Sequence, residues 1–306
     1  MGARLYWLLE LFSHFPLQYL ALQVLAAGLC LALRRWVSAV VVLLAAVPNL
    51  VAIAPYLPGL LHSPPVEMTA AAPAAPAVAL IAFNLRYSND DPAATRAYLD
   101  QRSPDLLVLS EFTPRWHEFL QELELGYPYF ALRPRWNPWG IAVFSRYPLG
   151  EIENLDLGDD QSSHLRVLVN LPGGPLEVYA VHLVSPSSSV QAGRRNTQLR
   201  KLAARVAAAD PGLPKIVAGD FNSTPYSPLF QDLLRDSGLR DGRQAFGLQV
   251  TWPAWPLPVW IPIDHCLASA GVLVTRVAIG PGTGSDHWPL ECGFTLPQSS
   301  IRKLRN

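Results

Sequence analysis

The sequence is poor in sulfur, with three cysteines and two methionines among 306 residues. Cys30 lies in an apolar run, and Cys266 and Cys292 fall in strand-like segments near the C-terminus. That spacing is neither a disulfide framework nor a zinc-ligand pattern. No charge sign is in excess, because 24 Lys and Arg offset 24 Asp and Glu. Nucleic-acid-binding domains usually carry a basic surplus, so the balance argues against DNA as the main substrate, although a neutral total leaves room for a local basic patch. Charge is also missing regionally. Leu11–Leu33 contains no Asp, Glu, Lys or Arg, and neither does Trp36–Val66. Each run exceeds the roughly 20 residues that cross the hydrocarbon of a bilayer.

Two transmembrane spans fit these runs, near Leu17–Leu33 and Trp36–Ile53. A cleaved signal peptide is the competing reading of the first and a buried core helix that of the second. The positive-inside rule keeps the Arg34–Arg35 loop in the cytoplasm, so a hairpin returns the chain to the outer side. Arg4 supports a cytoplasmic N-terminus instead. With one effective span the chain still emerges outside, and with two it faces inward. The expectation is an extracytoplasmic catalytic region. Residues 1–62 then form the anchor, 63–77 a Pro/Ala-rich linker, 78–296 the catalytic domain and 297–306 a tail.

Apolar runs in the catalytic region predict strands at Val78–Phe83, Leu106–Ser110, Ile141–Ser145, Glu151–Leu157, Leu165–Leu171, Leu176–Leu183, Lys215–Gly219, Ile263–Ala268, Val272–Ile279 and Leu290–Thr295. Helices are expected from Asp91–Pro92 to about Gln101, near Arg115–Leu123 and over Ala192–Ala209. Many strands with a few helices suggest two packed sheets with helices outside.

The polar residues suited to metal and phosphate chemistry stand where these strands end: Asn84, Glu111, His182, Asp220, Asn222, Asp264, Asp286 and His287. Strand ends present side chains to a crevice, so distant residues can converge there. Each has a bland reading when taken singly. Asn84 is a turn former, Glu111 a helix N-terminal acid and His182 a satisfied core histidine. The segment Gly219-Asp220-Phe221-Asn222 is more specific, because a carboxylate and an amide two apart bind a hard cation and orient an oxygen together. Ser285-Asp286-His287 sets a carboxylate beside an imidazole, and Asp264 is available to fix a histidine tautomer.

This ordered set resembles the endonuclease/exonuclease/phosphatase (DNase I-like) superfamily. The resemblance spans about Val78 to Thr295. It rests on Phe83-Asn84, Ser110-Glu111, Trp139 through Pro148, Val181-His182, Gly219 to Asn222, Ile263-Asp264-His265 and Ser285 to His287. With the apolar N-terminus and Thr251-Trp252-Pro253, it looks like the membrane-attached bacterial branch that includes VanJ-like teicoplanin-resistance proteins. The resemblance implies an α/β fold, a four-layer sandwich of two mixed sheets flanked by helices, in a protein of the bacterial inner membrane. It further implies Mg²⁺, with Mn²⁺ as an alternative, on Glu111 helped by Asn84 and Asp286. His182 would hydrogen-bond the phosphate, Asp220 and Asn222 would position water and phosphoryl oxygens, and His287, oriented by Asp264, would act as general base or phosphate-binding cation. Whether Asp220 or His287 takes the water's proton stays open.

Arg86 stands where certain nucleases of the family carry an acidic residue, and it is a candidate substrate contact together with Arg133, Arg135, Arg166, Arg194 and Arg195. The leading expectation is a metal-dependent phosphoesterase hydrolysing a phosphate ester or pyrophosphate of a lipid-linked or polyprenyl substrate, with no obligate protein partner. A membrane-tethered nuclease and a catalytically silent interaction module are the alternatives.

Overall fold

The computed structural model describes residues 6–58, 77–89, 91–122, 126–159, 161–244, 246–255 and 259–296. The expected linker, apart from Ala77, and the tail lie outside the described residues. Among the described residues three α-helices come first: α1 (Trp7–Phe12), α2 (Pro16–Ala32) and α3 (Trp36–Ile53). Then come β1 (Val78–Asn84), α4 (Pro92–Arg102), β2 (Leu106–Ser110), α5 (Pro114–Phe119), β3 (Tyr129–Arg133), β4 (Ile141–Ser145), β5 (Leu149–Asn154), β6 (Leu165–Leu171) and β7 (Gly174–His182). The order ends with α6 (Ser189–Ala207), β8 (Lys215–Asp220), α7 (Pro228–Ser237), β9 (Arg240–Asp241), β10 (Asp264–Ala268), β11 (Leu273–Ile279) and β12 (Leu290–Thr295).

Among the described residues the strands form two six-stranded sheets, β11-β12-β1-β2-β4-β3 and β5-β6-β7-β8-β10-β9. The period of two along each strand decides what each face meets. In β1, Leu80 and Ala82 point into the space between the sheets, joined there by Val108, Val178, Ile216 and Cys292. The alternate Ile81 and Phe83 pack outward with Tyr98 of α4 and Trp116 of α5. On the other flank, Tyr179, Val181 and Val217 meet Leu199 and Leu202 of α6 and Phe230 of α7. The result is the expected four-layer sandwich.

Topology gathers the polar strand ends. β1 and β2 run parallel with Asn84 opposite Ser110, and β7 and β8 run parallel with His182 opposite Asp220. Antiparallel β10 begins where β8 ends, Asp264 opposite Asp220, and β12 begins where β1 ends, Leu290 opposite Ala82. Four strand ends and two strand starts therefore share one edge of the sandwich.

Sequence reasoning missed α1, β3, α7 and β9. Strand β3 is a sheet edge with Tyr129 and Phe130 exposed, so it shows no clean alternation. β5 ends at Asn154, before the expected Leu157, because Leu155 and Leu157 turn into the cluster beneath α6. The expected helix near Arg115–Leu123 is described only as the short α5, and Leu123 lies outside the described residues.

Helices α2 and α3 form a hairpin tied by Gln23, whose Nε2 donates to the Ala45 carbonyl at 3.1 Å and whose Oε1 accepts from Asn49 Nδ2 at 2.9 Å. The two-span expectation is met in length by one helical segment, Trp36–Tyr56, while the first apolar helix is Pro16–Ala32, 17 residues long. Both ends of the hairpin touch the sandwich. At its entry, Glu10 accepts from Arg195 Nη2 at 2.6 Å and from Ser227 Oγ at 2.6 Å. At its exit, Tyr56 packs edge-on against Tyr226, 5.8 Å between ring centroids, with the Arg243 guanidinium over its ring at 6.0 Å.

Candidate active site

The gathered edge floors a cleft of about 510 Å³. Its centre is one carboxylate oxygen. Asp220 Oδ2 lies 3.1 Å from Asn84 Nδ2, 3.3 Å from Asn222 Nδ2, 3.6 Å from His182 Nε2 and 3.8 Å from His287 Nε2. Asp220 is buried, and burial first, then the Asp264 charge, pushes its carboxyl up to about 6 against the pull of His287 and His182. His287 Nδ1 meets Asp264 Oδ2 at 2.8 Å. Burial works against its charged form, but Asp264 and Asp220 outweigh it and hold the imidazole up to about 10. His182 has the opposite outcome, since burial pulls it below the usual histidine value despite Asp220. Its ring lies against Trp139, 5.2 Å between centroids.

Backbone geometry at the edge is unusual. Arg86, Glu111 and Asn222 all sit at positive φ (57°, 58° and 47°), a region costly for residues with a Cβ and often retained at functional sites. Asn222 is locked there by its N–H to Asp220 Oδ1 at 2.8 Å and its Nδ2 to the Leu183 carbonyl at 2.9 Å. Gly219 has φ +135°, and a Cβ there would stand 2.0 Å from the Val181 carbonyl oxygen, so only glycine delivers Asp220 to this edge.

Opposite Asp220, Glu111 accepts from the Tyr87 N–H at 2.7 Å and from Asn84 Nδ2 at 3.1 Å. Burial pushes its carboxyl up in spite of those bonds and of the His287 charge. Asp286 is half-buried in the same cleft and accepts from Trp252 Nε1 at 3.4 Å. Glu111 and Asp286 offer a hard cation oxygen ligands, and a cation there would offset the desolvation of Glu111. Asn84 turns its Nδ2 toward the two carboxylates and its Oδ1 toward the Arg86 N–H at 3.0 Å, so it bridges them as a donor. Asp220, Asp264 and His287 also bring potential ligand atoms within 4.8 Å of one another. The Asp264–His287 bond occupies Nδ1 and turns Nε2 toward Asp220, an ion-pair geometry that holds the imidazole in its charged form. The residues present thus fit a cation on the Glu111 side and an internal charge pair on the His287 side.

The eight polar strand-end residues singled out from sequence stand together in or directly beneath this cleft. Arg86 does not join them: its side chain is exposed and does not line the cleft. Arg195 is buried on Glu10, and Arg166 is bound by Glu177, Glu151 and Glu153, so neither is free for substrate. Thr251, named from sequence only within the family resemblance, has its Oγ1 accepting from the Ile263 and Asp264 N–H groups at 3.1 Å each, and sequence reasoning missed His164, which accepts from the His182 N–H at 3.3 Å. It also missed Leu11, His14 and Phe15, which line the cleft from the N-terminal segment. A larger depression of about 800 Å³ beside α4 and α5 holds mainly paired surface charges such as Arg96 with Asp100 and gathers no comparable set.

A family profile, Endonuclease/Exonuclease/phosphatase family, matches residues 81–287, from β1 to the histidine of the cleft. The chain belongs to this family. Its members are nucleases or phosphoesterases that generally hydrolyse phosphodiester bonds and usually use a divalent metal. The chain is 36% identical over 83 residues to the uncharacterized protein YbhP of Escherichia coli K12, a match covering 27% of this chain and 33% of YbhP. The matched segment is about a third of that relative's length. Among solved structures it resembles a humanized D. rerio TDP2 (TM-score 0.60, 20% identity, 72% of this chain and 99% of that one). It also resembles an endonuclease/exonuclease/phosphatase from Beutenbergia cavernae (TM-score 0.56, 22% identity, 72% of each chain). At such identities these likenesses show the fold. A D. rerio TDP2 structure at 19% identity and TM-score 0.57 is complexed with a single-strand DNA product.

Proposed function

We propose that the protein is a membrane-anchored, divalent-metal-dependent phosphoesterase that hydrolyses a phosphate ester or pyrophosphate of a lipid-linked or polyprenyl-linked substrate. The observation that carries the chemistry is Asp220 Oδ2, surrounded by four side-chain nitrogens at 3.1–3.8 Å and facing the carboxylates of Glu111 and Asp286. A phosphate ester repels hydroxide, so its hydrolysis needs charge neutralisation, an aligned water and a proton acceptor. Asp220 is poised near neutrality and takes the water's proton, with Asn222 fixing its carboxylate. His287, kept cationic by Asp264, and His182 bind the phosphoryl oxygens. Glu111 and Asp286 would hold the divalent cation, Mg²⁺ or Mn²⁺, which supplies Lewis-acid stabilisation of the developing charge.

Two observations favour a lipid-linked substrate over nucleic acid. The apolar hairpin begins at the cleft, and anchoring concentrates an enzyme where lipid substrates already are. Among the described residues lining the cleft there is no lysine or arginine, whereas tracking a nucleic-acid backbone requires a basic groove. The eight-residue site likewise argues against a silent module. The reading places the catalytic domain outside the cytoplasm.

Release of phosphate from polyprenyl pyrophosphate, and of phosphate or a phosphorylated headgroup from phospholipids, by the full-length protein in detergent tests this reading. Turnover is expected with Mg²⁺, to be lost on chelation, and to fall about 10³-fold in Glu111→Ala and Asp220→Ala with folding retained. Cleavage of DNA alone would establish the nuclease, and wild-type rates in both variants would refute the mechanism.

A further inference from the structure

Three polar residues of the N-terminal segment dock on the sandwich at intervals of four. Glu10 binds Arg195 and Ser227, His14 Nδ1 meets Thr224 Oγ1 at 2.8 Å, and Gln18 Nε2 donates to the Trp260 carbonyl at 2.9 Å. Glu10 and His14 are both buried. Leu11 and Phe15, each one residue further on, line the catalytic cleft. Helix α1 ends at Phe12 and α2 begins at Pro16, so these contacts fasten the turn between the two helices and hold Leu11 and Phe15, with His14 between them, as one wall of the cleft. Ile261, Ile263 and Trp252 also line the cleft, whose floor carries Asp220, His182 and His287.

We infer that this apolar flank is a binding subsite for the aliphatic chain of the substrate, which makes the membrane anchor itself part of the substrate pocket. The inference rests on the phosphoesterase reading of the floor. A group seated against Leu11, Phe15 and Ile261 meets apolar side chains, which suits methylenes. The wall continues in sequence into α2, whose Leu22, Leu25 and Leu29 are exposed at 61% or more and so available to lipid. Trp255 and Trp260, 39% and 40% exposed, stand where α2 leaves the sandwich, a position suited to the headgroup layer. A chain attached to a phosphate at the floor passes along Leu11 and Phe15 and leaves beside α2.

The test uses full-length protein in nonionic detergent with Mg²⁺ and a series of 4-nitrophenyl alkyl phosphates from methyl to decyl, each below its micelle-forming concentration. Each buried methylene is expected to raise kcat/KM about threefold over the first several carbons. Leu11→Ser/Phe15→Ser is expected to flatten the series, and Leu11→Trp, which keeps the docking face apolar, to cut it off at a shorter chain. Equal chain-length dependence in wild type and both variants would overturn the subsite while leaving the phosphoesterase standing. Quenching of tryptophan fluorescence by 11-bromoundecyl phosphate gives a readout independent of turnover. Quenching lost in the Leu11 and Phe15 variant, with no turnover of any ester by wild type, would keep the subsite and overturn the phosphoesterase. Neither quenching nor turnover would overturn both.

Discussion

In the proposed mechanism Asp220 and His287 divide the proton work by environment. Both are buried within 4 Å of each other, yet one lies near the middle of the physiological range and the other well above it. Asp220 acts as a base when deprotonated, so activity should rise as pH increases through about 6, or somewhat lower once a nearby cation favours the carboxylate. His287 serves as a cation when protonated, so activity should fall as pH passes about 10. A plateau of kcat/KM between these limits is the expected profile. Asp264→Asn should draw the alkaline limb down by removing the largest charge that sustains His287. An alkaline limb unchanged in Asp264→Asn would remove His287 from the proton and charge balance. At this scale the site was largely legible from sequence. Asn84, His182 and Asp220 each close a buried apolar run, which places them at strand ends, and their order along the chain carried the family resemblance.

What was not legible belongs to the elements. Helix α1 has six residues, too short for a periodicity signal, and its meaning comes from a partner 185 residues away. The Glu10–Arg195 pair is buried at 1% and 0% side-chain exposure, and Arg195 Nη1 also donates to the Asn222 carbonyl at 3.0 Å. Helix α1 thus braces the loop that carries Asp220 and Asn222. Glu10→Gln should destabilise the protein by about 3–5 kcal/mol, because a buried guanidinium loses its counter-charge. Glu10→Leu/Arg195→Met should cost less than the two single changes together, and denaturant unfolding of the full-length chain checks both. Burial would raise the Glu10 carboxyl, but the His14 hydrogen bond and the Arg195 charge hold it down to about 2. Its contribution to stability is therefore complete above the unfolded value near 4.5 and is lost as pH falls toward 2. Arg195 reads in sequence like a solvated surface charge, since nothing adjacent to it announces a distant glutamate. The exposed edge β3 escaped for a related reason: half of its pattern is set by a neighbouring strand.

For the whole molecule, the two sheets meet at a pair of free thiols, Cys266 of β10 and Cys292 of β12, with sulfurs 2.8 Å apart. Each looked unremarkable in sequence, and only the stacking of the sheets brings them together. Their hydrogen bond, and then burial, raises the Cys266 thiol well above its ordinary value, which protects the reduced pair from alkylation in the folded protein. A catalytic domain that folds outside the cytoplasm meets oxidant before these sulfurs are enclosed, and the pair should be isolated as a disulfide joining the sheets. Alkylation under denaturing conditions should then find neither thiol free, while two free thiols would indicate a cytoplasmic domain.

The docking of Glu10, His14 and Gln18 has a kinetic consequence for an anchored enzyme. A cleft walled by Leu11 to Phe15, the segment that ends where α2 begins, cannot swing out on a tether. Under the proposed function its working concentration of substrate would be set by the mole fraction of that lipid in the surrounding leaflet. Inert lipid would then slow it at constant total substrate, and molecules in a neighbouring bilayer would lie beyond its reach.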